Sequence, residues 1–139
     1  MSNANNNMAQ EYFVSAQEAL NQKDLVNGIA RLTKAIALDD SFAEARLLRA
    51  QVLFMLEDSQ GAGEDCDWLL EHTGEQEHVL LLAARIAQAK GDEAKALQLY
   101  NKVIKKNPQL LSDLNGDFTA DGVEKRTVKT RSALNPYSL

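Results

Sequence analysis

The sequence predicts an all-α protein built from three stacked helical hairpins. Three observations carry this expectation: a composition of strong helix formers, a 34-residue spacing of small and apolar positions, and turn residues at the same place in each repeat. Of 139 residues only 2 are proline and 7 glycine, while alanine, leucine, glutamine, glutamate and lysine are plentiful. Those residues favour helix because they lose little rotamer freedom in it. With hydrophobic residues at 45% and charged residues at 25%, the chain is ordinary globular material, long enough for one continuous core.

The repeat emerges when the chain is laid in rows 9–42, 43–76 and 77–110. Small residues recur at Ala16, Ala50 and Ala84, and again at Gly28, Ala62 and Ala96. Aspartate recurs at Asp24, Asp58 and Asp92; larger residues recur at Leu32, Cys66 and Tyr100 and at Ile36, Leu70 and Ile104. Each row reads as helix, short turn, helix. In row three the first helix is expected over about 77–90 and the second to about Lys106. Between them Gly91 supplies a left-handed helix end and Asp92 a carboxylate cap. Asn107-Pro108 closes the unit, because proline disfavours helical geometry in the residue before it. Row one turns at Lys23-Asp24 and row two at Glu57-Asp58-Ser59, where Gly61 and Gly63 weaken the helix that follows. Helices in a hairpin approach closely only where side chains are short, so Ala16 is expected to face Gly28. Leu32, Ala35 and Ile36 are expected to fill the space up to the next hairpin. Residues 1–8 are polar and expected to be flexible. Residues 111–139 are expected to be a capping segment and tail, with Leu110, Leu111, Leu114 and Phe118 covering the last apolar face and a helix over about 122–133.

The 34-residue period, the small residues at the eighth and twentieth positions and the proline at the thirty-second (Pro108) resemble the tetratricopeptide repeat family over residues 9–110. The match departs at the fourth position, usually aromatic, which holds Tyr12, Arg46 and Leu80. Asp40 and Gly74 stand where the late proline is usual. The resemblance implies a right-handed superhelix, a TPR-like α-solenoid, whose first helices line a concave groove that takes a protein or peptide partner. The groove positions it implies include Phe13, Gln17, Leu20 and Asn21, then Glu44, Leu47, Gln51 and Phe54, then His78, Leu81, Arg85 and Gln88. The candidate partner-binding set is Phe13, Gln17, Leu20, Leu47, Gln51, Phe54, Leu81, Arg85 and Gln88. Such a face, apolar with interspersed amides, suits an extended or helical peptide that brings apolar anchors. The competing reading is that some of these side chains pack between hairpins, or that the tail fills the groove of a self-associating scaffold.

Relatives that grip the C-terminal carboxylate of large heat-shock chaperones are similar to one another in a Lys, Asn and Arg clamp. Here the corresponding places hold Phe13, Gln17, Leu48, Glu44 with His78, and Leu82, so the clamp is absent and an anionic terminus lacks charge-assisted donors. Length, acidity and repeat number also resemble the three-repeat chaperones of type III secretion, without a diagnostic residue.

The remaining features narrow the function. A net charge of −5 opposes nucleic-acid binding and anionic membrane surfaces, both of which need clustered cations. The one basic cluster, Lys125, Arg126, Lys129 and Arg131, is short. One cysteine excludes an internal disulfide and is compatible with a reducing compartment. No apolar run has transmembrane length, and residues 1–7 do not read as a secretory leader, so a cytoplasmic protein is expected. No nucleophile–base pair, phosphate loop or cofactor fingerprint is present; no enzyme activity and no cofactor are expected. His72 and His78, six apart, do not share a helical face, and no metal site is expected there. Asp113, Asn115, Asp117, Asp121 and Glu124 have the spacing of a calcium loop, but Phe118 stands where its sharp turn needs glycine. Trp68 falls at a convex-face position and either anchors a second interface, such as a homodimer, or folds back onto neighbouring helices. Cys66 is expected to be inert packing.

Overall fold

The computed structural model describes residues 2–110, which form six helices: α1 (Ser2–Asn21), α2 (Leu25–Leu38), α3 (Ala43–Met55), α4 (Ser59–Thr73), α5 (Glu77–Ala89) and α6 (Glu93–Lys106). Among the described residues there is no strand. The chain divides into two compact units, Met1–Glu75 and Gln76–Leu139. The first holds the hairpins α1–α2 and α3–α4, with α2 also packing on α3; the second holds the hairpin α5–α6. None of the described helices is long and apolar enough to cross a membrane. Of the expected cap only Leu110, half-buried, is among the described residues; the rest of the cap, the tail helix, the calcium loop and the basic cluster lie outside them.

The hairpin turns repeat at atomic detail. Lys23, Glu57 and Gly91, each 34 apart, all take positive φ, at 64°, 64° and 82°. In each turn the next residue's N–H reaches back five residues: Asp24 to the Ala19 carbonyl at 2.9 Å, Asp58 to Leu53 at 2.8 Å and Asp92 to Ala87 at 2.9 Å. The positive-φ residue itself donates three residues back, to Leu20, Phe54 and Gln88. This double bond pattern satisfies carbonyls that the ending helix leaves orphaned. The aspartate then caps the following helix, its carboxylate accepting from the N–H of Asn27, Gly61 or Lys95. Only the third turn has glycine at the left-handed position, so the first two carry a steric penalty.

In the first unit, Phe13, Ala16, Leu32, Ala35, Ile36 and Ala45 form one buried cluster, with Tyr12, Leu20, Phe42 and Leu48 packed against it. Leu32, Ala35 and Ile36 thus face α3, as their spacing predicts. Gly28 marks a close approach of α1 and α2, and Leu20 is the side chain that meets it. A Cβ at Gly28 would lie 2.8 Å from Leu20 Cγ, so it is Leu20 that needs the glycine, while Ala16 is buried in the cluster. The side chain of a helical residue lies over the turn N-terminal to its own Cα, a displacement that spacing alone does not register.

Helix α1 also differs from expectation, running back to Ser2 through the residues expected to be flexible. Asn3 to Met8 are exposed there. Once a helix is nucleated, each added residue gains a backbone bond without a new nucleus, which permits this extension without burial. Helix α4 forms over Ser59–Thr73 despite its two glycines, held at its start by the Asp58 cap. In the second unit α5 buries Val79, Leu80, Leu82, Ala83, Ala84, Arg85, Ile86 and Ala87, and α6 buries Ala96, Leu99 and Val103. The Tyr100 hydroxyl on α6 donates to Gln88 Oε1 on α5 at 2.8 Å.

Candidate functional site

The nine candidate residues are three positions of the repeat, one set each on α1, α3 and α5. In α1 and α3 the middle position is an amide, Gln17 or Gln51, with a larger apolar residue four before it (Phe13, Leu47) and three after it (Leu20, Phe54). Residues three and four apart share a helix face, so each set forms one stripe. The structure treats the three stripes differently.

On α1, Phe13 is not on the surface. It is 7% exposed and its ring sits 5.0 Å from that of Phe42, tilted at 41°. Leu20 is drawn in over Gly28, and only Gln17 of the three is exposed. Phe13 and Leu20 therefore follow the competing expectation, packing within and between hairpins. On α3 all three, Leu47, Gln51 and Phe54, are half-buried, presenting part of each side chain. On α5, Leu81 is half-buried, Arg85 is 6% exposed, and Gln88 is exposed with its oxygen taken by Tyr100. Burial pushes the Tyr100 hydroxyl above its ordinary pKa, with Arg85 opposing. Two apolar residues of the same stripes escaped the candidate set. Val14 is 45% exposed three residues before Gln17, and Met55 is 48% exposed four residues after Gln51. Their one-face spacing was the available signal.

The feature that sequence reasoning missed altogether lies behind α3. Asp65 on α4 is 2% exposed and receives a two-pronged hydrogen bond from Arg49, Nε to Oδ2 at 2.8 Å and Nη2 to Oδ1 at 2.7 Å. Arg49 Nη1 also donates to Thr33 Oγ1 at 3.3 Å, tying α2 to the pair. Arg46 Nη1 stands 3.8 Å from Asp65 Oδ1, its Nη2 and Nε donate to the Asp40 carbonyl, and its guanidinium lies 4.2 Å from the centre of the Trp68 ring. The His72 ring stacks on Trp68 at 4.3 Å. The hydrogen bonds to Asp65 push the Arg49 pKa up; burial pushes that of Arg46 down, with Asp65 opposing. Trp68 thus folds back between Arg46 and His72 and is half-buried. The signal available was Arg46 itself, a cation where the repeat usually has an aromatic. Cys66 is fully buried in α4. Among the described residues no group of His, Cys, Asp and Glu is placed to hold a metal ion.

No protein-family model matches the sequence. No curated protein matches it either. Solved structures do match: one is the first TPR of Spaghetti (RPAP3) bound to the HSP90 peptide SRMEEVD. It aligns with a TM-score of 0.68 over 94% of this chain and 96% of that one, at 14% identity. The chain has the tetratricopeptide-repeat fold. A fold does not fix function, which must be argued from the side chains this chain presents.

Proposed function

We propose that this tetratricopeptide domain is a protein–protein interaction module that binds a peptide or helical segment of a partner on the face of its first helices. The observation that carries the proposal is the α3 stripe. Leu47 and Phe54 present partly open apolar surface on either side of the Gln51 amide, extended on α3 by exposed Met55. Partly open apolar side chains flanking a hydrogen-bonding amide provide anchors and a partner for a bound backbone. Gln17 on α1 and Leu81 on α5 hold the equivalent positions of their own repeats. The solved structure of similar fold, bound to a peptide, is in keeping with this use. The module acts as a scaffold, adaptor or chaperone-like binder in the cytoplasm, without catalysis and without nucleic-acid or membrane ligands.

The test compares the intact chain with Phe54→Asp in affinity capture under matched salt, with far-UV circular dichroism on both. A partner held by the intact chain and lost from a variant of unchanged helicity supports the α3 face. Retention of the partner by Phe54→Asp moves the site elsewhere. Capture of the protein alone favours the self-associating scaffold.

A further inference from the structure

We infer that Met55 is an oxidation site that switches the α3 face: a hydroperoxide converts its thioether to a sulfoxide, and the bound segment is released. The inference rests on the binding role proposed above. Besides Met1, which lies outside the described residues, the sulfur atoms of the chain belong to Met8, Met55 and Cys66. Cys66 is 0% exposed, so its thiol is shielded from a dissolved oxidant. Met8 and Met55 are 45% and 48% exposed, and theirs are the sulfurs within reach among the described residues. The two stand on different surfaces. Met55 follows Gln51 by four residues, about 40° round α3, and adjoins half-buried Phe54. Met8 precedes Gln17 by nine residues, about 180° round α1, on the side away from that amide.

The fold does not need a methionine at this place. The same repeat position holds Asn21 in α1 and Ala89 in α5, both exposed, so no hairpin packs a core side chain there. A sulfoxide at Met55 therefore leaves the hairpins standing and changes what the face offers. The step is a two-electron oxygen transfer. A sulfur lone pair attacks one peroxide oxygen and the O–O bond breaks. The departing hydroxide takes the proton of the transferred oxygen and leaves as water, so sulfur is oxidised and peroxide reduced. A flexible apolar end thus becomes a polar acceptor, which loses its water without compensation when an apolar anchor covers it. Methionine sulfoxide reductase reverses the change, two thiols becoming a disulfide while the oxygen leaves as water.

The test treats the full chain, Met8→Leu and Met55→Leu with hydrogen peroxide, clears it with catalase, and compares each with its own untreated sample. Leucine keeps the apolar volume and removes the sulfur. The readouts are affinity capture from one native lysate at matched salt, peptide mass mapping of each sulfoxide, and far-UV circular dichroism. Oxidation is expected at both Met8 and Met55 with helicity unchanged. Capture by the full chain and by Met8→Leu should weaken about tenfold, the share of a methionine's burial that a polar sulfoxide forfeits. Met55→Leu should capture the same amount before and after peroxide. The two sulfoxide reductases, one for each epimer, with dithiothreitol should restore what was lost. Undiminished capture with Met55 oxidised, an equal loss in Met55→Leu, or a loss that reduction does not reverse overturns the switch. In those cases the face still stands if Phe54→Asp has lost the same partner. A fall in helicity on oxidation overturns the switch as well, since the effect is then on the fold. Capture unchanged in Phe54→Asp, or capture of no partner, overturns the face and the switch together.

Discussion

Replacing Asp65 by alanine should destabilise the first unit as much as truncating a large core side chain. The carboxylate is 2% exposed and joins two cations, bonding Arg49 at 2.7 and 2.8 Å and standing 3.8 Å from Arg46. Its removal deletes two charge-assisted hydrogen bonds and leaves two guanidinium groups with reduced compensation. Breaking a buried pair from one side typically costs about 3–5 kcal/mol. The Arg49 side chain retains 20% of its exposure, so it can recover some hydration, which brings the expectation to about 2–4 kcal/mol. The assay is urea unfolding followed by the fluorescence of Trp68, the chain's one tryptophan, which lies on α4 and so reports this hairpin. A double-mutant cycle with Arg49→Leu and Asp65→Leu isolates the pair, and the double variant should be closer to wild type than either single one. A loss below about 1 kcal/mol for Asp65→Ala, or additivity in the cycle, would show that the pair is not the fastener between α3 and α4 described above.

The turns give a prediction of opposite sign. Glu57→Gly and Lys23→Gly should each stabilise by about 0.5–1 kcal/mol, since glycine removes the left-handed steric penalty and returns part of the gain as unfolded-state entropy. Gly91→Ala should destabilise by about 1 kcal/mol, and equal midpoints for all three variants and wild type would contradict the turn geometry. The Asp24 carboxyl is held below its ordinary pKa, first by the Asn27 side-chain amide and then by the Asn27 N–H. A lowered folded pKa contributes stability above the unfolded value and loses it as pH falls through the folded one. Asp24→Ala should therefore melt below wild type at neutral pH, and the gap should close in acid below the usual aspartate range; a gap constant with pH would exclude the carboxylate as the cap.

The sequence by itself determined the parts of this protein that depend on neighbours along the chain. A turn and a cap are decided by four or five consecutive residues, so Asp24, Asp58 and Asp92 marked the start of the second helix in each hairpin correctly. The expected span of row three, 77–90 and then to Lys106, agrees with α5 and α6 to within one residue at each expected end. The 34-residue spacing likewise marked the small positions, Ala16, Ala50 and Ala84 and then Gly28, Ala62 and Ala96, all of which are buried. What only the tertiary structure decided is which side chain meets which across a hairpin. Positions sixteen apart are opposed in the first two repeats, where Arg31 reaches the Ser15 carbonyl and Arg49 grips Asp65. The third repeat holds buried Ala83 and Leu99 there, so nothing at any one of these positions announces its partner. Phe13 and Leu47 hold the same repeat position, yet Phe42 and the buried cluster take Phe13 inward while Leu47 keeps part of its surface. The direction and reach of a side chain depend on the volume left by residues distant in sequence, and close packing settles that volume only when the helices meet.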